Sequence, residues 1–486
     1  MARPVVTVAD IAARIMSGGR SASVHGDGSV VLRGVTHSSA NITPGELFAC
    51  IRGRRHDGHD YAVSAVESGA AALLVERICS EVECPQILVD DVRGALGDAA
   101  SAICGDPSQH LTVIGITGTN GKTTTAAMID TILTATGHTT VVLGTLTGGH
   151  TTPEAPELQK RLAQAVADGV DTVVMEVSSH ALVEGRVNGV AFDVVAFTNL
   201  GRDHLDLHGT QEEYFRAKSV LFTDLNAPVG VISIDDRHGR LLADTVADRG
   251  SMEIVEVGEE LTPVRSTGPD MTTMCIDGVS VAVTPTGHHN AANARVAIAV
   301  TQALGVSVTD AARALATMGT VPGRMERVDS ASDDIAVVVD YAHTPDALTA
   351  VLAAVRHMTS GEVRLVFGCG GERDRDKRPQ MGAAARAADV VTVTSDNPRS
   401  EAPEQIIDEI MTGLASTDGR NVSIERIVDR AEAIDRAIAA AAPGDVVLIA
   451  GRGHEHTQAT AAGDVDLDDR DEARRALEHR RSGVPA

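Results

Sequence analysis

Residues 115–125 read Gly-Ile-Thr-Gly-Thr-Asn-Gly-Lys-Thr-Thr-Thr and follow directly on the β-type run Leu-Thr-Val-Ile at 111–114. A strand that empties into a glycine-rich loop and then a helix constrains the architecture strongly. Such a unit belongs to a parallel sheet flanked by helices. The glycines let backbone N–H groups turn inward around a polyphosphate, Lys122 adds a point charge, and the Thr123 hydroxyl can ligate Mg²⁺. A helix is expected over residues 125–137, its positive end facing the phosphates. Gly118 stands three before Gly121, and Ile116 occupies the place where the common form of this loop has its first glycine. The alternative is a glycine-rich turn with an incidental lysine. Strand, glycines, Lys-Thr and helix in that order favour a site for a nucleoside triphosphate.

Composition narrows the rest. The chain of 486 residues has room for about three domains. Aromatic residues are 2% with no Trp, so the cores must rest on aliphatic side chains and alanine. A formal charge of −25 disfavours nucleic-acid binding, and an anionic substrate would need local cationic pockets. The six cysteines form no CxxC pair, which suits a reducing cytoplasm and argues against a disulfide or zinc framework. The N-terminus lacks the apolar core of a signal peptide, and no apolar run is long enough to span a membrane. The expectation is a cytoplasmic protein acting as a monomer.

Three domains of α/β class are expected, at 1–108, 109–322 and 323–486. The first mixes short strands (30–35, 46–51, 71–75) with a helix at 61–69. The second alternates strand and helix around a mostly parallel sheet, with strands at 171–175, 194–198 and 229–233 and a β-rich insert at 251–285. The third shows four strands, at 335–340, 364–369, 390–395 and 445–450, separated by helical patterns and each running into a polar cluster. Ligands bind at the carboxyl ends of strands in open α/β sheets, so four such clusters on one edge indicate a site. The Asp/Arg-rich tail after Gly463 reads as a solvated helix.

Glu176 ends an apolar strand next to Ser-Ser-His, as a metal-binding carboxylate does beside a phosphate loop. The bland alternative is a strand-end glutamate facing solvent. Lysine occurs only at 122, 160, 218 and 377 in a chain that otherwise uses arginine. Lys218 is therefore either a surface cation or an amine kept for its ability to lose a proton. His204, in Arg-Asp-His-Leu-Asp-Leu-His, is on its own a loop histidine.

Four motifs taken together carry a family resemblance. Gly-Thr-Asn-Gly-Lys-Thr-Thr, Met-Glu-Val-Ser-Ser-His, Phe-Thr-Asn-Leu-x-Arg-Asp-His-Leu-Asp-x-His-Gly and Asp-Tyr-Ala-His-Thr-Pro resemble the Mur ligases over residues 27–456. Within that family they are similar to the MurE type, which adds the third residue to UDP-N-acetylmuramoyl-L-alanyl-D-glutamate. The resemblance implies a UDP-binding N-terminal domain, a central ATPase domain and a Rossmann-like, amino-acid-binding C-terminal domain. It implies ATP as co-substrate, cradled by Gly118, Thr119, Asn120, Gly121, Lys122, Thr123 and Thr124. Asn290 and Arg324 would contact the adenine side, and Asp340 the ribose. Thr123, Glu176 and His204 would serve Mg²⁺ together with Lys218, which matches a lysine that is carbamylated in the family. Ser38 and the segment Arg54-Arg55-His56 match the UDP side. Thr151, Thr152, Ser178 and Arg186 match residues that hold the muramyl-dipeptide.

Asp396, Asn397, Pro398 and Arg399 resemble the signature of members that add meso-diaminopimelate, with Arg373, Gly451 and Glu455 as further contacts. A planar Arg399 can grip a distal carboxylate through two parallel hydrogen bonds, and L-lysine has no such group to offer. The composition of the motif also fits a plain turn. The implied reaction passes through an acyl phosphate on the D-glutamyl γ-carboxylate, which the incoming amine attacks. His204 and His343 are candidates to take the amine's proton. His37-Ser38-Ser39, His150, Glu184, His289 and Arg452 depart from the family's usual residues. Those changes bear on nucleotide-sugar affinity more than on reaction type. A folylpolyglutamate-type ligase, a regulatory NTPase that forms no bond and an inactive homologue are the alternatives.

Overall fold

The computed structural model describes residues 5–53, 56–415 and 422–482. Three sheets lie in succession along the chain. The first has five strands in the order Ala22–His25, Gln86–Val89, Ala72–Val75, Glu46–Ala49, Gly34–Thr36, all parallel except Ala22–His25. The expected strand over 30–35 is broken at Arg33. Val31–Leu32 pairs with Val6–Thr7, and Gly34–Thr36 joins the main sheet.

The central sheet has six parallel strands: Glu253–Val257, Val229–Ser233, Val194–Phe197, Thr112–Thr117, Thr172–Glu176 and Thr140–Leu143. Alternation along Thr112–Thr117 sends Ile114 and Ile116 into one core and Val113 into the other. Both faces are therefore covered, and the strand reads as continuously apolar. The helix after it runs Lys122–Ala135, starting earlier than the sequence indicates, because left-handed Gly121 already caps it. The insert read at 251–285 divides. Glu253–Val257 is the edge strand of the central sheet, and Val264–Thr267, Thr272–Ile276 and Val279–Val283 form a separate antiparallel sheet.

The C-terminal sheet has six strands where four were expected: Glu326–Arg327, Ala336–Asp340, Val446–Ala450, Val363–Phe367, Val390–Val393 and Ser423–Arg426. The two additions, Glu326–Arg327 and Ser423–Arg426, are short, polar edge strands without an apolar signature. The tail is not simply solvated. A hairpin of Thr457–Thr460 and Gly463–Asp466 precedes helix Asp469–Ser482, which buries Ala473, Ala476 and Leu477 against the sheet. At its start Asp469 receives both Nε and Nη2 of Arg430 at 2.7 Å, and neither side chain is exposed. Arg430 also donates to the carbonyls of Ser395 at 3.3 Å and Ala450 at 3.0 Å. One guanidinium thus fixes the last helix and two strand ends.

Removing one member of a buried pair strands the other charge, at a cost of about 3–5 kcal/mol. Arg430→Met is expected to lower the stability of the C-terminal unit by that amount. Urea unfolding followed by hydrogen exchange in the strands at 390–393 and 446–450 checks it.

Candidate active site

The carboxyl ends of the central strands and of the Ala336–Asp340 strand face a common cavity of about 510 Å³. The phosphate loop forms one wall. Gly118 and Gly121 have φ of 148° and 89°. A side chain at Gly118 would meet Thr198 Oγ1, and one at Gly121 would meet Asn293 Oδ1. Lys122 Nζ lies across the loop, donating to Gly118 O at 2.9 Å and Thr119 O at 3.0 Å. Burial pulls its ammonium below the usual range, Arg324 adds to this, and Glu176 and Asp203 oppose it.

Glu176 is buried at the end of its strand. Its Oε1 accepts from Thr123 Oγ1 at 3.0 Å and from Thr145 N at 2.9 Å, and Oε2 accepts from Thr145 Oγ1 at 3.2 Å. A hydroxyl and a carboxylate at the edge of a phosphate loop are the oxygen donors that Mg²⁺ prefers, so Thr123 and Glu176 fit that ion. Among the described residues no three His, Cys, Asp or Glu side chains cluster as a metal-holding group. A site here would draw its remaining ligands from phosphate and water.

His204, with φ of 53°, packs edge-on to His180 with ring centroids 4.8 Å apart. Burial depresses its imidazole to about 3 despite Asp203 alongside. Lys218 is 1% exposed, donates to Gly118 O at 2.8 Å and lies 4.6 Å from the centre of the Tyr214 ring. Burial, then the Lys122 charge, push it well below the ordinary lysine range, with Asp203 pulling back. Such surroundings favour the neutral amine over the ammonium.

The C-terminal sheet closes the cavity. Arg324 donates to Thr123 Oγ1 at 3.1 Å and stacks on Tyr341, its guanidinium carbon 4.3 Å from the ring centre. Asn120 Nδ2 donates to Thr344 Oγ1 at 3.2 Å. Asp340 accepts from Met325 N and Ala342 N, both at 2.7 Å, while burial raises its carboxyl. Asn290 donates to Pro285 O and Thr286 O at 3.2 and 3.3 Å. Arg324, Asn120, Asp340, Tyr341 and Asn290 line one space together with Thr119, Thr124 and His289.

Thr151 and Ser178 line the same space, with Thr152 buried behind them. Thr152 Oγ1 donates to Glu176 O at 2.9 Å and accepts from Ser178 N at 3.0 Å. Arg186 donates to Thr152 O at 2.9 Å and pairs with Glu184 at 2.6 Å and Glu154 at 2.9 Å. Ser38 stands outside this cavity, its N–H donating to Thr36 Oγ1 at 3.1 Å. Arg54 and Arg55 fall outside the described residues.

The second cluster occupies the neighbouring strand ends of the C-terminal sheet. Asn397 Nδ2 donates to Glu455 Oε2 at 2.8 Å, and Asp396 Oδ1 accepts from Asn397 N at 2.7 Å. Arg399 takes φ of 54° and donates to Gly371 O at 2.7 Å. A side chain at Gly370 would touch Arg399 Nη1 at 3.1 Å and Arg373 Cγ at 3.8 Å, so the two guanidinium-bearing chains flank one glycine. Glycine at 451 leaves room for Asp396 Oδ2, and Pro398 O packs against Gly371. Burial, then Asp396, raise the Glu455 carboxyl against the bond from Asn397. The hairpin after it holds the motif: Ala459 N donates to Asn397 Oδ1 at 2.8 Å, and Arg399 N to Ala459 O at 2.9 Å.

Two residues of this site escaped the sequence reading. Thr145, which makes two of the bonds to Glu176, sits in a Gly/Thr run with no distinguishing spacing. Asp203 was quoted in a motif but given no role. It is 5% exposed and takes a bond from Lys377 at 3.1 Å.

Family models match in three consecutive stretches: Mur ligase family, catalytic domain at 31–103, Mur ligase middle domain at 116–301, and Mur ligase, glutamate ligase domain at 323–453. The chain belongs to the Mur ligase family. It is 43% identical to a UDP-N-acetylmuramoyl-L-alanyl-D-glutamate--2,6-diaminopimelate ligase of Gloeobacter violaceus, over 93% of this chain and 95% of that one. It is 42% identical to the protein of the same name from Geobacillus thermodenitrificans, over 94% and 97%. A solved structure of a ligase so named superposes with a TM-score of 0.68 at 30% identity, covering 98% of this chain and all of the other.

The histidines give this Mur ligase a pH signature. Burial holds His208, His289 and His454 at about 4, below the 6.5 of an unstrained imidazole. The unfolded chain then binds protons first, so their contribution to stability is present above 6.5 and is lost as pH falls towards 4. Urea midpoints of the ligand-free protein are expected to drop between pH 7.5 and pH 5. Substituting His454→Gln is expected to shrink that drop.

Proposed function

We propose that this Mur ligase joins meso-2,6-diaminopimelate to the D-glutamate of UDP-N-acetylmuramoyl-L-alanyl-D-glutamate, consuming ATP and supplying a peptidoglycan precursor. The observation that carries the reading is the Asn397–Glu455–Arg399 cluster on strand ends beside the phosphate-loop cavity. An α-amino acid end needs an acceptor for its ammonium, which Glu455 and Asp396 supply. Its carboxylate needs a donor fork, which Arg399 supplies with Arg373 beside it. The curated relatives carry that activity in their names.

In this reading the region before residue 109 holds the UDP part, residues 109–322 hold ATP, and residues 323–486 hold the amino acid. Gly118 to Thr124 wrap the phosphates, Asn290, Arg324 and Asp340 hold the nucleoside, and Thr151, Thr152, Ser178 and Arg186 hold the dipeptide. Ser38 and His56 serve the uridine side. Thr123 and Glu176, with His204 and a carbamate on Lys218, would hold Mg²⁺, which would neutralise charge on the phosphates.

The γ-carboxylate of D-glutamate attacks the γ-phosphorus, ADP leaves, and an acyl phosphate remains. Carboxylate and phosphate repel, and Lys122 and Arg324 offset that repulsion in a cleft where charges act strongly. Closure by the C-terminal sheet keeps water from the acyl phosphate. The amine of diaminopimelate adds to the carbonyl, the tetrahedral intermediate expels phosphate, and one proton leaves the nitrogen. His343 and His204 are the candidates for that proton; His343 donates through Nδ1 to Tyr341 O at 2.8 Å and turns Nε2 towards Asp203 Oδ2 at 3.4 Å. The protein acts as a cytoplasmic monomer.

Phosphate release from ATP in the presence of the UDP-dipeptide is expected to require meso-diaminopimelate and to be negligible with L-lysine. Release with lysine but not diaminopimelate would overturn the specificity, and release without any amine would point to an NTPase. Arg399→Ala is expected to raise KM for diaminopimelate about 100-fold, the worth of a charge-assisted pair of hydrogen bonds. ¹³C-bicarbonate is expected to give a carbamate resonance that Lys218→Ala abolishes.

A further inference from the structure

Asp203 is where charges from the central and C-terminal sheets meet, and no step above uses it. Its carboxylate is 5% exposed, and Lys377, which donates to Oδ1 at 3.1 Å, is 8% exposed. Oδ2 lies 3.4 Å from His343 Nε2 and 3.4 Å from His204 Nε2. Lys377 opens helix Lys377–Ala385, and His343 follows the Ala336–Asp340 strand, so both come from the C-terminal side. Asp203 and His204 come from the loop before helix Leu205–His208 on the central side. Nearby, Arg202 Nε approaches Asp374 at 3.2 Å, a second pair between the same two segments.

A carboxylate withdrawn from water is tolerable only when paired. His204 faces Asp203 from its own segment, whereas Lys377 and His343 reach it only while the C-terminal sheet is docked. The next residue, His204, holds a left-handed backbone that non-glycine residues seldom adopt. Wherever Asp203 is anchored, the imidazole of His204 is placed one peptide away.

We propose that Asp203 and Lys377 form an interdomain latch, with Asp203 a positioning residue that sets His204 in the cavity when the C-terminal sheet closes. The proposal rests on the reading of His204 as a group facing the phosphates. Lysine suits the position because a compact ammonium meets a single carboxylate oxygen, whereas the arginine fork is built for two.

The test uses the full-length enzyme and the variants Lys377→Met, Asp203→Asn and their double. Each single change is expected to lower kcat for ligation about tenfold or more, because reacting groups are misplaced rather than removed. Affinity for a fluorescent ADP is expected to stay within about threefold, since the loop donors are untouched. The double variant is expected to be no slower than the slower single one, as for two residues acting through one contact. Small-angle scattering with ADP bound is expected to show Lys377→Met more extended than the wild type.

Lys377→Arg keeps the charge and is expected to fall between wild type and Met. Lys377→Gln replaces Met if Met does not fold. A folded Lys377→Met or Lys377→Gln with kcat within about twofold of wild type overturns the latch, as do losses that multiply in the double variant or nucleotide affinity that falls in step with kcat. His204→Ala separates the two readings. Retained kcat there refutes the role of His204, while the scattering comparison still decides the latch.

Discussion

The chemistry requires two anions, a carboxylate and a triphosphate, to meet in a cleft from which water is excluded. A bare approach of that kind is prohibitive at low dielectric, so the structure is organised around a local excess of positive charge on a chain whose formal charge is −25. The phosphate loop supplies backbone N–H groups, a helix end and Lys122. Arg324 reaches over from the C-terminal side, held flat by the Tyr341 ring. Lys218 donates to the same carbonyl as Lys122, that of Gly118. Two ammonium groups on one oxygen repel each other, which is the second cause lowering Lys218. Converting Lys218 to a carbamate would turn that repulsion into attraction and add an oxygen donor, a better electrostatic solution for the same geometry.

Closure follows from the same constraint. Cavity-lining residues come from both sheets, and the contacts of Arg324 with Thr123 and of Asn120 with Thr344 bridge them. The cleft is therefore assembled by docking and is not carved into either unit. Each bridging bond is modest and partly wetted. The Asp203–Lys377 contact differs in being buried on both sides, so losing either partner while the sheets stay docked leaves a charge without its counter-ion. The same logic appears within the C-terminal unit, where Arg430 ties helix Asp469–Ser482 to the two strand ends that carry the Asp396–Arg399 and Gly451–Glu455 loops.

The phosphate loop and the strand-end acid are legible because their chemistry demands residue types at fixed local spacing, whereas Asp-Asn-Pro-Arg stands out from a plain turn only through the family resemblance. Strands such as Val229–Ser233, buried on both faces, were legible from β-branched runs. Edge strands were not: Ser423–Arg426 is stabilised by a neighbour and carries no apolar pattern. Partnerships across long sequence separations were also illegible. Nothing in the residues around 377 points to Asp203, 174 positions away, and Thr145 is marked only by lying beside the strand that ends in Glu176.

The scarcity of lysine acquires a physical meaning once the positions are seen. A chain rich in arginine can place guanidinium groups wherever planar, permanent charge is wanted, as at Arg378, where one fork binds Glu401 and Glu409 together. Lys122 lines the cleft, and two of the other three lysines bond to residues that line or form it, Lys218 to Gly118 of the phosphate loop and Lys377 to Asp203. In the proposed reaction Lys122 is a point charge following a phosphate and Lys218 sheds its proton, while Lys377 meets one carboxylate oxygen at a buried contact. Arginine fails each requirement, being bulky, planar and permanently protonated. The fourth, Lys160, lies 3.6 Å from the buried carboxylate of Glu46 at the seam between the first two sheets. That placement repeats the rule, a single ammonium set against a single buried oxygen.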